Sequence, residues 1–232
     1  MLLKELRTAV LEANLELVKR GLVLYTFGNA SGVDRERGLV VIKPSGVNYD
    51  ELRPEHMVVT DLDGKIVEGE LKPSSDLDTH TLLYREFAAI GAVVHTHSEY
   101  ATSFAQAGLA IPALGTTHAD YFYGPVPCTL PLTDEAIGGR YVHETGMAIV
   151  ERFRAGGIDP MAVPACLVAG HAPFCWGATV TEAAHTAVIV EELAAMAWMT
   201  VSINPAASPI AQALRDKHHF RKHGPTASYG QR

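Results

Sequence analysis

The sequence predicts a single α/β domain in which a central mixed or antiparallel β-sheet is flanked by helices. Three observations support this fold class. Short apolar runs typical of strands alternate with segments of helical periodicity, hairpins interrupt that alternation, and no repeat, low-complexity run or Ser/Gly-rich linker divides the 232 residues. With 47% hydrophobic and 19% charged residues, the chain is long enough to bury the core of one large domain.

The first half of the chain begins with a helix and continues with strands. Apolar residues recur at helical spacing from Leu3 to Leu17, and Gly21 ends the pattern. The segment "HMVVTDLDGKIVEG" (56–69) predicts a hairpin that bends at Asp63-Gly64. The other predicted elements are a strand with a turn over 38–46, a helix over 78–90, a strand over 91–97 and a helix over 99–107.

The second half is punctuated by prolines and ends in helices. The segment "GPVPCTLPL" (124–132) is expected to be extended, and a helix over 134–155 is expected to break near Gly138-Gly139. The remaining predicted elements are a buried strand running into a loop over 162–177, a long helix over 179–200, a last helix over 205–220 and a tail over 221–232. The long helix is apolar on most of its surface, which predicts burial against other elements or other subunits.

Composition and charge argue against several classes of function. The net charge of −7 and the lack of a basic stripe argue against a nucleic-acid partner. No run approaches the roughly 18 apolar residues of a membrane-spanning helix, so no membrane partner is expected. The N-terminal segment predicts an amphipathic helix and not a signal peptide. Three cysteines without metal or redox spacing (Cys128, Cys166 and Cys175) then suit a protein of the reducing cytoplasm.

Two histidines at the end of an apolar run form the first candidate site. In "GAVVHTH" a strand would point His95 and His97 to one face, where neutral imidazoles suit a divalent metal, although such a pair also occurs by chance. His171 follows another apolar strand, and Asp76 or Asp78 precedes a helix, where an N-cap role and a ligand role are equally compatible with the sequence. Three imidazoles and one carboxylate would suit zinc, with manganese or cobalt as alternatives. The other histidines are interpreted mostly as surface or packing residues: His56, His80, His118, His143, His185, His218, His219 and His223.

Three short turns rich in small and hydroxyl-bearing residues form a second group of candidates. They are "FGNASG" (27–32), "KPSG" (43–46) and "PSSD" (73–76). In such turns backbone N–H groups can converge on an anion, and Lys43 can add a point charge. None of the three matches a P-loop or a dinucleotide fingerprint, and each alone is typical of an ordinary turn. They predict a phosphate site only if they meet in space.

These residues carry a resemblance to a known family. The chain resembles the L-ribulose-5-phosphate 4-epimerases, the epimerase branch of the class II (zinc-dependent) sugar-phosphate aldolase/epimerase family. The matching segments run from residue 10 to the C-terminus and are "VLEANLELVKRGLV", "GNASGVDRERGLVVIKPSGV", "KPSSD", "GAVVHTHSEYAT", "GTTHADYFYG", "HETG" and "DKHHFRKHG…SYGQ". "HTH" is shared with the aldolases, whereas "TTHADYFYG" and "SYGQ" are specific to the epimerase branch. The resemblance implies one class II aldolase/epimerase domain over 1–232 with three α/β/α layers.

The resemblance also implies roles for individual residues. The implied ligands of one divalent metal per subunit, most compatibly Zn²⁺, are Asp76, His95, His97 and His171. The related fuculose-phosphate aldolase carries a catalytic glutamate at the position of Asp76, so the shorter aspartate favours the epimerase. Asp120 and Tyr229 match the family's acid/base pair. The residues implied around the phosphate and the enediolate oxygens are Gly28, Asn29, Lys43, Ser45, Gly46, Ser74 and Ser75.

The activity implied by the resemblance is inversion at C4 of a phosphorylated ketopentose, between L-ribulose 5-phosphate and D-xylulose 5-phosphate. Its route would be metal-assisted retro-aldol cleavage and re-addition. A cyclic homotetramer with sites at subunit interfaces is implied, and the tail over 221–232 would then dock at such an interface. The step would belong to carbohydrate metabolism, in arabinose catabolism or in an ascorbate pathway that shares it.

Two other functions stay open at this point. A class II aldolase acting on fuculose or rhamnulose phosphate would share the fold and the metal, but it would release the free aldehyde. A metal-binding or scaffold protein without catalysis would lose stability when the metal is removed and would bind no sugar phosphate. An assay for released dihydroxyacetone phosphate separates the aldolase from the epimerase.

Overall fold

Seven antiparallel strands form the sheet at the centre of the molecule. The structure is a computed structural model, and it describes residues 1–223 and 227. The strands are β1 (Asn29–Asp34), β2 (Leu39–Ile42), β3 (Val58–Asp61), β4 (Ile66–Glu68), β5 (Ala92–His95), β6 (Ala165–Leu167) and β7 (Pro173–Gly177). Their order is β4-β3-β2-β1-β5-β7-β6, and each neighbouring pair is antiparallel. The predicted α/β fold is confirmed. Of the two predicted sheet types, mixed and antiparallel, the structure has the antiparallel one.

Helices cover both faces of this sheet. In the described part of the chain they are α1 (Lys4–Lys19), α2 (Leu77–Glu86), α3 (Glu99–Gln106), α4 (Thr116–Ala119), α5 (Asp134–Gly138), α6 (Tyr141–Gly156), α7 (Val180–Ile203) and α8 (Gln212–His223). Two short 3₁₀ turns, Tyr49–Glu51 and Pro54–His56, precede β3. α1 and α7 pack against the sheet and each other on one side, and α2 packs with α6 on the opposite side. The predicted helix break at Gly138-Gly139 separates α5 from α6.

β1 lies between β2 and β5 and is built from small residues. At Gly32 a Cβ atom would lie 2.8 Å from the Leu6 side chain of α1, and a side chain of α7 lies equally close. The interpretation of 27–32 as a turn is therefore wrong from Asn29 onward, and the turn ends at Gly28. The small residues reflect the close approach of two helices to a central strand.

The chain after β6 and the end of α2 also differ from the prediction. All five residues of β7 are buried, so the segment expected to be a loop is a strand that forms a hairpin with β6. α2 ends at Glu86, short of the predicted end at residue 90. Arg35 donates hydrogen bonds to the carbonyls of Phe87 and Ile90, which hold the chain in the irregular turn that leads to β5.

The C-terminal helix is displaced toward the end of the chain. α8 begins at Gln212 rather than at residue 205, because Pro209 lacks the N–H that the interior of the predicted helix would need. α8 continues to His223, so the first residues of the predicted tail over 221–232 are helical. Apart from residue 227, the rest of that tail lies outside the described residues, and so does its predicted docking.

α7 is a long apolar helix whose inner face packs on the sheet. Within the described residues it alone is long and apolar enough to cross a membrane by length and composition, and 33% of its apolar window is buried. This corrects the expectation that no segment reaches that length, but core helices of soluble proteins pass the same test. Near its end Trp198 and Ile203 are 53% and 85% exposed, so an apolar surface is uncovered in the single chain.

Candidate active site

Three imidazole rings meet at one end of the central strands. His95 is the last residue of β5, His97 lies two residues further on, and His171 lies in the turn between β6 and β7. Because β7 pairs with β5, that turn lies beside the end of β5. The ring centroid of His95 is 4.9 Å from those of both His97 and His171, which are 5.0 Å from each other. The structure thus brings the three predicted histidines into a nearly equilateral triangle.

His95 is held in one tautomer at the base of this triangle. Its Nδ1–H donates to the carbonyl of Pro173 at 3.0 Å, which leaves the lone pair of Nε2 facing the other rings. The ring stacks on Phe174 with centroids 4.2 Å apart. Burial lowers the pKa of His95 to about 3, and burial also lowers the pKa values of His97 and His171. All three rings are therefore neutral near pH 7, the form in which imidazole binds a metal.

Asp76 lies at the N-cap position of α2 but does not cap the helix. Its side chain makes no capping hydrogen bond, which removes the support for the N-cap role that the sequence left open. Instead, Oδ2 accepts a hydrogen bond of 2.6 Å from the side-chain amide of Asn29. Burial raises the pKa of Asp76, but attraction to His95 and His80 in the protonated forms that acid pH populates, together with the bond from Asn29, outweighs burial, so the pKa is lowered overall. The carboxyl group is an anion beside neutral rings.

Asp78, the alternative candidate, has other partners. Its Oδ2 accepts from Arg140 at 3.1 Å, and its Oδ1 lies 3.2 Å from Nδ1 of His143. These contacts tie α2 to α6 and occupy both carboxylate oxygens, and Asp78 does not line the cavity that contains the three rings. The structure therefore favours Asp76 over Asp78 as the fourth member of the group.

The three histidines fit a divalent cation, whereas Asp76 lines the same cavity but is not part of the group of close ligand atoms. Nε2 of His95 and Nε2 of His97 are 3.1 Å apart, close to the edge of about 3.3 Å that a tetrahedral site with Zn–N bonds of about 2.0–2.1 Å would have. Ligand atoms of all three histidines lie within 4.8 Å of one another. Nδ1 of His171 is buried and has no partner among the described residues. Three neutral nitrogen donors suit Zn²⁺ and tolerate other divalent ions, and Asp76 stays the predicted carboxylate ligand.

The predicted anion-binding turns open into the same cavity. Ser74 N–H donates to the carbonyl of Lys43, and Ser45 N–H donates to the carbonyl of Lys72, so the second and third turns are joined by backbone hydrogen bonds. The first turn joins them through Asn29 and its bond to the Asp76 carboxylate. The three segments therefore lie together in space, as a phosphate site would require. The cavity is about 450 Å³ and is lined by Thr26, Phe27, Gly28, Asn29, Lys43, Pro44, Ser45, Gly46, Ser74, Ser75, Asp76, His95, His97 and His171.

Lys43 is an unusual member of this lining because its ammonium group is buried. Nζ lies 3.3 Å from the carbonyl oxygen of Pro44 and 4.7 Å from the centre of the Tyr49 ring, and no carboxylate pairs with it among the described residues. Burial lowers the pKa of Lys43 to about 8. A buried cation beside two serine hydroxyls suits an anionic group of a ligand.

Gly28 is required at its place beside β5. Its φ is +74°, and a Cβ atom there would lie 2.7 Å from the Val23 side chain and 3.0 Å from the carbonyl oxygen of His95. The hydroxyl of Tyr49 lies 2.8 and 2.9 Å from the carbonyl oxygens of Phe27 and Gly28 and holds this turn in place. The wall of the pocket is therefore fixed at the point where it approaches the ligand histidines.

Asp120 does not line this cavity. It ends α4, and its carboxylate accepts from Arg221 at 2.9 and 3.0 Å and from His218 at 3.0 Å, with Lys222 at 3.5 Å. Burial raises the pKa of Asp120, but the hydrogen bonds from Arg221 and His218 and the charges of Lys222 and Arg221 outweigh burial and lower the pKa. Tyr229, its predicted partner in catalysis, lies outside the described residues. The single chain thus separates the predicted acid/base residue from the predicted metal ligands.

Sequence reasoning missed two features of the site. Phe27 forms part of the wall, with its ring centroid 6.1 Å from that of His97, although the turn that contains it was selected only for its small residues. His80, interpreted as a surface or packing residue, is fully buried one helical turn after Asp76. The spacing of four residues between Asp76 and His80 was the available signal, since it places both on one side of a helix.

Comparisons with known proteins agree with this geometry. The family model of the class II aldolase and adducin N-terminal domain matches residues 8–198. A protein of Salmonella paratyphi B and one of Salmonella typhi, both named L-ribulose-5-phosphate 4-epimerase UlaF, are each 52% identical over 230 residues, which is 99% of this chain and 100% of theirs. A solved L-fuculose 1-phosphate aldolase has the same fold, with a TM-score of 0.78 at 24% identity over 92% of this chain and 94% of that one. An L-fuculose-1-phosphate aldolase from Thermus thermophilus has a TM-score of 0.69 at 25% identity over 89% of this chain and 100% of that one.

Proposed function

Since the chain belongs to the class II aldolase and adducin N-terminal domain family, we propose that it is an L-ribulose-5-phosphate 4-epimerase. It would interconvert L-ribulose 5-phosphate and D-xylulose 5-phosphate by inversion at C4. The observation that carries this proposal is the single pocket that contains four candidate metal ligands and the buried, carboxylate-free cation Lys43. The relatives that are 52% identical over almost the whole chain bear the name of this activity.

The chemistry of C4 explains why the site is built around a cation. The C4 hydrogen is beta to the carbonyl and is not acidic, so direct removal of that proton is unfavourable. Cleavage of the C3–C4 bond, rotation of the aldehyde fragment and re-formation of the bond invert the centre without that step. A divalent cation held by Asp76, His95, His97 and His171, which we propose to be Zn²⁺, would supply Lewis-acid stabilisation of the negative charge that develops on cleavage.

The remaining pocket residues would bind and orient the substrate. Lys43, with the hydroxyls of Ser45, Ser74 and Ser75, lines one side of the cavity and would hold the phosphate. The phosphate would then fix the three-carbon fragment while the aldehyde rotates. Gly28 and Asn29 line the wall beside the ligands, where the enediolate oxygens would lie. Holding both fragments in the pocket prevents the release of aldehyde that an aldolase requires.

The proton transfers are assigned to Asp120 and Tyr229, one for each epimer. Because Asp120 lies outside the pocket of its own chain, this assignment requires a second subunit. We therefore propose a homotetramer with active sites at its interfaces, in which the tail over 221–232 docks near a neighbouring pocket. Exposed apolar residues support such contacts: Leu24 and Tyr25, beside the pocket mouth, are 68% and 88% exposed, and the end of α7 is similarly uncovered.

The proposal is tested by incubating the Zn²⁺-loaded protein with L-ribulose 5-phosphate. The expected product is D-xylulose 5-phosphate, without stoichiometric release of dihydroxyacetone phosphate. Chelation should abolish the conversion, and added metal should restore it. Release of dihydroxyacetone phosphate at the rate of substrate loss would instead identify an aldolase, the second candidate, whose fold this chain shares.

A further inference from the structure

A chain of three buried polar side chains lies behind the candidate metal pocket. The hydroxyl of Tyr84 is 2.6 Å from Oγ of Ser31, and Oγ of Ser31 is 2.7 Å from Nδ1 of His80. Ser31 and His80 are 0% exposed and Tyr84 is 1% exposed. The ring of His80 meets Phe174 edge-on at 6.1 Å, and Phe174 in turn stacks on His95. A polar network in such a position is costly unless its groups are satisfied.

The requirement for hydrogen-bond acceptors fixes the direction of this chain. Ser31 Oγ is the one acceptor for the Tyr84 hydroxyl hydrogen among the described residues. If Tyr84 donates to Ser31, the Ser31 hydroxyl is free to donate to Nδ1 of His80. The reverse direction would leave the Tyr84 hydrogen buried without an acceptor. If His80 donated to Ser31 from Nδ1 as well, the buried Ser31 hydrogen would have no acceptor among the described residues. The imidazole of His80 therefore accepts at Nδ1 and carries its hydrogen on Nε2, where the Asp76 charge favours it.

The charged group that acts on the buried ring of His80 is the Asp76 carboxylate. Nε2 is buried and has no hydrogen-bond partner among the described residues. His80 follows Asp76 by one helical turn, and the backbone N–H of His80 donates to the backbone carbonyl of Asp76. The two side chains therefore lie on one side of α2. The interaction between His80 and Asp76 contributes to the lowered pKa of that carboxyl group.

We propose that His80 is a positioning residue, held in its Nε2–H tautomer by Ser31 and Tyr84, that orients the Asp76 carboxylate toward the cation. This inference rests on the proposed function only in taking Asp76 as a metal ligand. His80 and His95 would then have opposite tautomers, since Nδ1–H of His95 donates to Pro173. One ring would direct a donor at the carboxylate, and the other would direct a lone pair at the metal.

The tautomers are measured by two-bond ¹H–¹⁵N correlation spectra of the histidine rings in metal-free, ¹⁵N-labelled protein. The resonance that disappears in His80→Gln identifies His80. We expect the Nε2–H pattern for His80 and the Nδ1–H pattern for His95. Tyr84→Phe removes the donor that sets the direction of the chain, so it should add an Nδ1–H population for His80. An Nδ1–H pattern for His80 in the unaltered protein would overturn the proposal.

The effect on the cation is measured by competition with a chromophoric chelator for Zn²⁺. His80→Met removes the donor and should weaken binding about 10- to 100-fold, as loss of a partner of a metal ligand typically does. His80→Gln keeps an N–H near the position of Nε2 and should recover most of the loss. His118→Gln alters a similarly buried histidine whose Nε2 bonds to the carbonyl of Gly124, and it should leave affinity unchanged.

Unchanged Zn²⁺ affinity in folded His80→Met protein would also overturn the proposal. If that variant does not fold, the tautomer measured in the unaltered protein still decides the matter. Neither measurement uses a sugar phosphate. An absence of epimerase activity together with the expected tautomer and affinities would therefore reject the proposed function and leave this inference intact.

Discussion

Two aspartates, Asp76 and Asp120, show how differently one side chain can be used in this molecule. The carboxylate of Asp76 is surrounded by neutral imidazoles and an amide, with a single short bond from Asn29. The carboxylate of Asp120 is surrounded by the cationic groups of α8, with three bonds from Arg221 alone. Both pKa values are lowered, but by partners of different kinds.

The difference lies in where the compensating charge comes from. The negative charge of Asp120 is paired with cationic side chains of the same chain, and these ion pairs help to hold α8 in place. The group around Asp76 has lone pairs and a negative charge, and no cationic side chain pairs with that carboxylate among the described residues, which supports the proposed binding of a divalent ion. The two aspartates thus contrast a site proposed to recruit an electrophile with a site whose charges are already paired.

The largest expected effect is on the first of these sites. His97→Ala should lower kcat/KM for L-ribulose 5-phosphate by about 10⁴-fold, because loss of the cation removes several kcal/mol of transition-state stabilisation. The measurements are elemental analysis of the purified protein and a coupled assay for D-xylulose 5-phosphate. His185→Ala, an exposed histidine outside the pocket, is the matched control and should keep both metal and activity. Full activity in metal-free His97→Ala would contradict the cation's role.

A smaller effect is expected at the second site. Asp120→Asn should lower kcat by about 10²-fold, the lower range of general acid–base contributions, while Zn²⁺ content stays unchanged. The separation of Asp120 from its own pocket sharpens this test. Mixed oligomers of Asp120→Asn and His97→Ala should regain activity that neither variant has, because one interface then combines an intact pocket with an intact Asp120. If the subunits exchange and the mixed oligomers stay inactive, Asp120 does not complete the pocket of a neighbouring subunit. Asp120 would then act in the pocket of its own chain or have no role in catalysis.

The buried cation of the pocket gives the third prediction. Lys43→Met should raise KM by about 10- to 100-fold with a smaller change in kcat, because a hydrogen bond to a charged group is worth about 1.5–3 kcal/mol. Inorganic phosphate should inhibit the unaltered enzyme competitively and the variant much less. Lys72→Met removes a neighbouring exposed lysine and serves as the control. If phosphate inhibited Lys43→Met as strongly as Lys72→Met, the substrate phosphate would not bind at Lys43.

The smallest effect concerns stability without metal. Burial lowers the pKa of His95 to about 3 and those of His80 and His118 to about 4, so the unfolded chain takes up these protons first as pH falls below about 6.5. The free energy of unfolding should decrease on acidification by up to about 1.4 kcal/mol per pH unit for each histidine. Urea titrations with chelator between pH 7 and pH 5 measure this slope. His118→Gln should lower the number of protons taken up on unfolding by about one, and so make the slope shallower. Stability that is independent of pH over this range would contradict the assignment of neutral, buried rings.

Local patterns in the sequence predicted much of the pocket. Alternation along a strand was enough to place His95 and His97 on one face, because that periodicity depends only on backbone geometry. The hydroxyl-rich turns around Lys43 and Ser74 were recognisable from composition. What the sequence left open was whether these turns meet, since their contact depends on backbone pairing between segments far apart in the chain.

The parts that were not predicted depend on distant partners. β1 was taken for a turn because of its small residues. These residues are small because α1 and α7 approach the strand closely, and the sequence of β1 alone does not reveal those neighbours. Asp120 could not be linked to Arg221, 101 residues away, by any local pattern. His80 was assigned to the surface or to packing because its polar partner Ser31 is 49 residues away on β1. Buried polar networks of this kind are decided by tertiary structure.

The pairing of β5 with its neighbours has a consequence for how the protein matures. His95 lies opposite Asn29 on one side and opposite Phe174 on the other. A slip of β5 by one residue would turn both imidazoles away from the pocket and toward the opposite helical layer. An ion bound as proposed would stabilise only the correctly aligned sheet, and nascent chains supplied with it should accumulate fewer misaligned, aggregation-prone forms.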